Sequence, residues 1–177
     1  MSYPLTVITG ASSGIGAAAA RAFSAAGYPL LLLARRLERM ESLKLPQTMC
    51  RAVDVADRAA VAAAIAEAEA HFGPVDCAIN NAGVAHLANV LEQDPLEWDA
   101  MIAVNVTGVM NVLHAVMQGM AQRRHGTIIN MSSIAGRKMY PGNTVYGGTK
   151  HFVHAGSPIP RRSVAQSTAI ASRRCRM

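Results

Sequence analysis

The stretch TGASSGIG, from Thr9 to Gly16, follows an apolar segment, LTVIT, and precedes an alanine-rich segment, AAAARAFSAA. This order predicts a buried strand, a glycine-rich turn and a helix. Gly10 permits a tight turn, and Gly14 and Gly16 would let the backbone approach a pyrophosphate at the helix N-terminus, where N–H groups are unpaired. The spacing G-x3-G-x-G differs from the usual G-x-G-x-x-G, and an ordinary glycine-rich turn is the alternative. The complete strand, turn and helix favour a dinucleotide site.

Short apolar segments and helical patterns alternate along most of the remaining chain. Further strands are predicted at 29–34 (PLLLLA), around TMCRAVDV, at 75–80 (VDCAIN) and at 127–131 (TIINM). Asp57 and Asp94 are placed to cap helices, and the helical region after Asp94 is expected to have a break near Asn105. Strands that alternate with helices at this spacing predict an α/β fold, a Rossmann-like doubly wound parallel sheet with right-handed crossovers.

The regular pattern stops near residue 154. From Ala155 onward the chain contains Pro158, Pro160 and scattered serines, with no apolar period of a strand or helix. We therefore expect a domain over residues 1–154 and an irregular basic tail over residues 155–177. The whole chain has a net charge of +6, and the tail holds five arginines and no acid. The rest of the chain has 12 basic and 11 acidic residues and is therefore nearly neutral.

The basic tail raises the alternative of a nucleic-acid or membrane contact. It has neither the interleaved aromatic residues of single-strand binders nor the amphipathic period of a membrane-surface helix. The longest strongly apolar run, PLLLLA, is far shorter than the ~20 residues that span a bilayer. We expect no nucleic-acid partner, no membrane partner and a cytoplasmic location.

The cysteines and histidines show no ligand spacing. Cys50, Cys77 and Cys175 are far apart without a CxxC pair, and the six histidines form no metal-binding pattern. Neither a disulfide framework nor a metal site is predicted.

The end of the second predicted strand bears on cofactor choice. NAD-binding folds place an acid there, about 20 residues after the glycine turn, to bind the ribose 2′-OH. This chain has Ala34-Arg35-Arg36 instead. A carboxylate repels a 2′-phosphate, whereas arginine can pair with it. NADP(H) is therefore favoured over NAD(H), and the alternative is that both arginines are merely solvated at a helix start.

Five motifs occur in one order: TGASSGIG, NNAG (80–83), Asn105, the serine pair of NMSSIAG and YGGTK (146–150). In this order they resemble the short-chain dehydrogenase/reductase family, in its compact single-domain branch, over roughly residues 4–154. The resemblance implies an oxidoreductase that transfers hydride between a nicotinamide cofactor and an alcohol, ketone or aldehyde. The cofactor-binding positions that it implies are Gly10, Ser12, Ser13, Gly14, Ile15, Gly16, Arg35, Arg36, Asp54, Val55, Asn80, Ala82, Gly83, Tyr146 and Lys150.

The resemblance also implies the roles of four residues. Tyr146 would exchange a proton with the substrate oxygen, helped by the ammonium of Lys150, which would also bind the nicotinamide ribose. Three residues separate them, so on a helix they share one face about 6 Å apart along the axis. Ser133 would hydrogen-bond the carbonyl oxygen, with Ser132 as its structural neighbour, and Asn105 would hold a water that relays protons from Lys150.

In the family, two further strands, a Pro-Gly turn and a substrate-covering helix follow YxxxK. Because KHFVHA continues the helix and the pattern then stops, we expect a truncated or frameshifted chain with the last two strands missing. The fifth strand would then be an exposed edge, and the lost helix surface argues against the homo-oligomer that is usual in the family. The alternative to an active NADP-preferring enzyme is a protein that binds the cofactor but is catalytically inactive.

Overall fold

A six-stranded parallel sheet runs through the centre of the computed structural model, which describes residues 3–156 and the strand at 169–174. The strands are β1 (Leu5–Thr9), β2 (Leu30–Ala34), β3 (Thr48–Ala52), β4 (Val75–Asn80), β5 (His125–Asn130) and β6 (Ala169–Arg174). Their spatial order is β3-β2-β1-β4-β5-β6, and every pairing is parallel. This confirms the predicted Rossmann-like α/β fold and its first five strands.

Six α-helices connect and cover the strands within the described residues. They are α1 (Gly14–Ala25), α2 (Leu37–Glu41), α3 (Arg58–Phe72), α4 (Pro95–Ile102), α5 (Gly108–Arg123) and α6 (Thr144–Gly156). The predicted caps are present, because the carboxylates of Asp57 and Asp94 accept hydrogen bonds from the backbone N–H groups of Ala60 and Leu96. The predicted break near Asn105 is a π-helical turn, Ala103–Thr107, between α4 and α5.

The sheet is covered by apolar side chains on both faces. Leu31 and Leu33 pack on one face with α3 and α5, and Leu30 and Leu32 pack on the other with α1 and α2. Successive side chains of a strand point to opposite faces, so the uniform apolar run of β2 serves both cores. These cores hold the carboxyl ends of the strands in a fixed arrangement.

One helical region, Pro95–Arg123, is long and apolar enough to cross a membrane by length and composition alone. Its most apolar 18-residue window has a mean hydropathy of 1.6, and 44% of that window is buried inside the fold. Val112, Val116 and Met120 of this region pack in the core beside β5. The expectation of a cytoplasmic location stays a prediction.

The sixth strand corrects the prediction of an irregular tail. β6 pairs with β5 from His125–Ala169 to Asn130–Arg174, so the fifth strand is not the exposed edge that we expected. Pairing to a sheet edge uses backbone N–H and C=O groups, so it does not require the apolar side-chain period that was missing. Residues 157–168 and 175–177 of the predicted tail lie outside the described residues, and the proposed boundary at 154 stays a prediction.

Candidate active site

The glycine turn closes tightly between β1 and α1. Gly10 has a φ of 66°, in the left-handed region that favours glycine, and its N–H donates to the Leu33 carbonyl over 2.8 Å. A Cβ atom on Gly16 would overlap with the Gly10 carbonyl oxygen and would lie 2.6 Å from Asn81 Nδ2. Gly16 is therefore needed for the helix to approach the turn, and its predicted role beside a pyrophosphate stays a prediction.

Beside the turn lies a cavity of about 230 Å³, here called the glycine-turn cavity. It brings together most of the predicted cofactor-binding residues: Gly10, Ser12, Ser13, Arg35, Arg36, Asp54, Val55, Ala82 and Gly83. Gly14, Gly16 and Asn80 do not line it. Ile15 lines a neighbouring cavity at the Tyr146 end of the site.

The guanidinium of Arg36 is held at the mouth of the turn. Its Nη2 donates to the hydroxyls of Ser12, over 3.1 Å, and Ser13, over 3.3 Å. Asp54 is the only acid that lines this cavity among the described residues, and its carboxylate accepts from the N–H of Ala56. The lining of the cavity therefore contains two arginines and one carboxylate, and this excess of positive charge suits an anionic ligand.

The neighbouring residues Asn80 and Asn81 contact different parts of the fold, and the predicted cofactor contact of Asn80 stays a prediction. Asn80 is 3% exposed, and its Nδ2 donates to Asn130 Oδ1 of the next strand over 2.8 Å. Asn81 lines the glycine-turn cavity, and its Nδ2 donates to the carbonyls of Thr9 and Gly10. Asn80 therefore ties two strands together, and Asn81 is the residue that we missed. Neighbouring residues face opposite ways at a strand end, but the sequence does not show which one faces the cavity.

Tyr146 and Lys150 lie together on α6. Lys150 Nζ is 5.9 Å from the centroid of the Tyr146 ring and donates to the Met131 carbonyl over 2.9 Å. Lys150 is buried, and burial lowers the pKa of its ammonium. An added Cβ atom on Gly83 would lie 3.4 Å from this Nζ, so the backbone of Gly83 lies directly beside the lysine ammonium.

The two serines occupy different positions. Ser132 Oγ donates to the Lys150 carbonyl over 3.1 Å, which connects the end of β5 to α6. Ser133 Oγ accepts from the N–H of Ala135, so its own O–H can still donate. Ser133 is thus the serine that is available to a ligand, at the start of a short 3₁₀ turn, Ile134–Gly136.

Asn105 is fully buried in the π-helical turn. Its amide bonds both the N–H and the carbonyl of Val84, over 2.9 and 2.8 Å, and donates to Thr149 Oγ1 over 3.0 Å. Thr149 Oγ1 in turn donates to the Tyr146 carbonyl over 2.7 Å. The side chain of Asn105 therefore positions the segment after β4 and the helix that carries Tyr146, while its water relay stays a prediction. Thr149, inside YGGTK, is a second positioning residue that we missed.

Three cavities follow one another along the carboxyl ends of the strands. The dyad cavity, about 200 Å³, contains Tyr146 and Lys150 and shares Asn81, Gly83 and Val84 with the glycine-turn cavity. The loop cavity, about 460 Å³, lies beyond it between residues 87–89 and 133–146. Ser133 and Tyr146 line both of these cavities. An elongated ligand can occupy the first two cavities, and a second molecule can meet its far end from the third.

Burial of Lys150 predicts how stability depends on pH. Its pKa is lowered in the folded chain, so between that lowered value and about 10.4 the unfolded chain binds more protons. The free energy of unfolding of the native chain, relative to Lys150→Met, should therefore rise with pH across this interval and be flat below it. Urea unfolding of both proteins from pH 7 to 10.5 measures this difference. A difference that falls as the pH rises would contradict it.

Two glycines near the dyad should respond in opposite directions to alanine. Gly148 lies in α6 with nothing within 4 Å of an added Cβ, so Gly148→Ala should raise the free energy of unfolding by about 0.5–1 kcal/mol. An added Cβ on Gly136 would lie 2.5 Å from the Lys150 carbonyl oxygen, so Gly136→Ala should lower it by about 1–3 kcal/mol. Denaturant unfolding measures both. Equal effects of the two changes would contradict the packing of Gly136 on α6.

No group of three or more His, Cys, Asp or Glu side chains that could hold a metal ion is found within the described part of the chain. The expectation of no metal site stays a prediction.

Comparison with known proteins places the chain in a family. The family model of short chain dehydrogenases matches residues 4–168. A sulfoacetaldehyde reductase of Chromohalobacter salexigens is 45% identical over 154 residues, which are 82% of this chain and 60% of that protein. An NADP-dependent 3-hydroxy acid dehydrogenase of Escherichia coli strain K12 is 37% identical and is covered to 68%. The chain spans 60% and 62% of the length of two sulfoacetaldehyde reductases that it matches, and 13% of a longer glycine betaine reductase.

Solved structures agree with this placement. The closed form of a serine dehydrogenase complexed with NADP+ has a TM-score of 0.90 and 32% identity, over 96% of this chain and 71% of that one. The residue range matched by the family model covers nearly the whole described domain. This chain belongs to the short-chain dehydrogenase family.

Proposed function

We propose that the chain is an oxidoreductase that prefers NADP(H) and acts on a small alcohol, ketone or aldehyde. The observation that carries the proposal is the shared wall formed by Ser133 and Tyr146. Both residues line the dyad cavity, which continues into the glycine-turn cavity, and both line the loop cavity on the other side. A cofactor and a substrate could therefore meet at one hydroxyl pair.

The residues of the glycine-turn cavity fit a nicotinamide dinucleotide. Gly10 and Gly16 let the turn pack closely against its neighbours, and Arg36 is already oriented by the hydroxyls of Ser12 and Ser13. Arg36 would pair with a 2′-phosphate, with Arg35 beside it and no acid at the end of β2. One relative is named NADP-dependent, and one solved neighbour is a complex with NADP+. These points support NADP(H) over NAD(H).

The proposed chemistry divides between the cofactor and the chain. When bound, the nicotinamide supplies the hydride for reduction of a carbonyl, or accepts it in the reverse reaction. Tyr146 would give its proton to the carbonyl oxygen, and Ser133 would donate a hydrogen bond to the same oxygen as negative charge develops there. Ser133 Oγ accepts a hydrogen bond from the N–H of Ala135, and this contact does not use the hydroxyl proton, which can therefore be donated.

Lys150 would support the proton transfer. Its ammonium lies near the Tyr146 ring and favours the phenolate that remains after the proton has left. One N–H donates to the Met131 carbonyl, so two more can bind a ribose hydroxyl and the proposed water near Asn105. Asn105 and Thr149 would keep the helix that carries this pair in position.

The test separates an active enzyme from a protein that only binds the cofactor. NADPH and NADH are titrated by fluorescence, and NADPH oxidation is then followed with a panel of small aldehydes and ketones. We expect tighter binding of NADPH and turnover with at least one carbonyl compound. Binding without any turnover would select the inactive alternative, and failure to bind either nucleotide would overturn the proposal.

A further inference from the structure

The loop cavity has an uncharged wall. It is formed on one side by the segment around Leu87 and on the other by Ile134, Tyr140 and Pro141, with Tyr146 at its inner end. Among the described residues, no Asp, Glu, Lys, Arg or His side chain lines it. An anionic group placed against this wall would lose its hydration without gaining a cation. The body of a ligand that enters from this side therefore meets a neutral, mainly apolar surface.

Asn143 places one side-chain donor in this wall. It is 6% exposed, and its Oδ1 accepts from the N–H of Tyr140 over 2.9 Å. Its backbone N–H donates to the Tyr140 carbonyl, and its carbonyl accepts from the N–H of Gly147 on α6. These bonds fix the residue three positions before Tyr146. They leave Nδ2 without a hydrogen-bond partner within residues 3–156, although Asn143 lines the loop cavity.

Because Nδ2 has no partner among the described residues and Asn143 lines the cavity, this amide can donate a hydrogen bond to a ligand that fills the cavity. An amide N–H donates to a neutral oxygen such as that of an ester, ketone or hydroxyl group. It brings no charge that would offset the desolvation of a carboxylate or sulfonate. One donor in an uncharged wall therefore favours a ligand that carries a neutral polar group over a ligand that carries a charged group.

We propose that the loop cavity takes an uncharged carbonyl substrate and that Asn143 Nδ2 binds a second, neutral oxygen of that substrate. This assignment rests on the proposed function, because Tyr146 and Ser133 would hold the reacting oxygen at the inner end. Asn143 is then a specificity-determining residue, separate from the residues that move the proton.

The test uses three ketones of similar size with the full chain and NADPH at pH 8. Methyl acetoacetate is neutral and carries a second oxygen, 2-pentanone is neutral and lacks one, and acetoacetate is anionic. We expect kcat/KM for methyl acetoacetate to exceed that for acetoacetate by roughly tenfold or more. The same ketones are also titrated into NADP+-saturated protein by calorimetry, and the affinities should follow the same order.

Two substitutions isolate the donor. Asn143→Asp keeps the acceptor for the Tyr140 N–H and removes the donor, and Asn143→Ala removes both. Each should lower kcat/KM and affinity for methyl acetoacetate by roughly tenfold and leave 2-pentanone nearly unchanged. Asn89→Asp, on the opposite wall of the same cavity, is the control for an added charge, since Asn89 Oδ1 accepts from the N–H of Leu91 and an aspartate keeps this acceptor. It should leave the preference for methyl acetoacetate over 2-pentanone in place.

The outcomes separate this inference from the proposed function. Equal or better use of acetoacetate, or an equal loss for all three ketones in the Asn143 variants, would overturn the inference. Ketone binding in the expected order without turnover would support the inference and overturn the proposed catalysis. Absence of ketone binding to the NADP+-bound protein would overturn the inference, while NADPH binding in each variant would show that the cofactor site is intact.

Discussion

Tyr146→Phe is expected to lower the turnover of NADPH with a carbonyl substrate by roughly 10²–10⁴-fold, because it removes the proposed proton donor to the substrate oxygen. The phenylalanine ring keeps the packing of α6, and the backbone carbonyl of Tyr146 still accepts from Thr149. The affinity for NADPH should therefore change little. Steady-state kinetics and a fluorescence titration of NADPH measure the two quantities on the same protein.

Tyr140→Phe is the matched control. Tyr140 lines the same loop cavity, but its hydroxyl has no hydrogen-bond partner among the described residues. Loss of that hydroxyl should change turnover by less than about threefold, which corresponds to less than a typical net hydrogen bond. Similar losses in the two variants would show that the effect is not specific to Tyr146, and full activity of Tyr146→Phe would reject its role as proton donor.

Arg36→Leu is expected to weaken the binding of NADPH by roughly 10–100-fold, because a charge-assisted hydrogen bond to a phosphate contributes about 1.5–3 kcal/mol. The 2′-phosphate is absent from NADH, so the affinity for NADH should change much less. The preference for NADPH should therefore shrink or disappear. Titration of both nucleotides at the same ionic strength measures it, since salt screens such contacts.

Arg39→Leu controls for the loss of one positive charge. Arg39 lies on the short helix α2, which begins directly after Arg36, but does not line the glycine-turn cavity. It should leave the ratio of NADPH to NADH affinity nearly unchanged. Equal losses for both nucleotides in Arg36→Leu would instead mean that Arg36 supports the glycine turn through Ser12 and Ser13 rather than binding a 2′-phosphate.

The fold class and much of the candidate site could be predicted from the sequence because their signals are local. The apolar run of β2 and the caps Asp57 and Asp94 each follow from a few neighbouring residues, and the structure confirms them. The spacing of Tyr146 and Lys150 likewise puts them on one face of a helix whatever the rest of the chain does. Family motifs then supplied roles that spacing alone does not contain.

The remaining features depend on contacts between residues that are distant in the chain. Asn81 lines the cavity because its amide reaches Thr9, 72 residues away, while Asn80 is used between β4 and β5. Gly16 must be glycine because the Gly10 carbonyl leaves no space for a Cβ atom there. The side chain of Asn105 is hydrogen-bonded to Val84 and Thr149. No local sequence pattern reveals these contacts.

The sixth strand shows the same limit. Its pairing with β5 is a matter of backbone groups at a sheet edge, and these carry no side-chain period that could be read beforehand. The sequence by itself therefore determined the α/β class, the glycine turn, the two arginines and the Tyr146–Lys150 pair. Only the tertiary structure decided which neighbouring residue faces the cavity and which donor is left for a ligand, because burial and hydrogen bonding are settled when distant segments pack together.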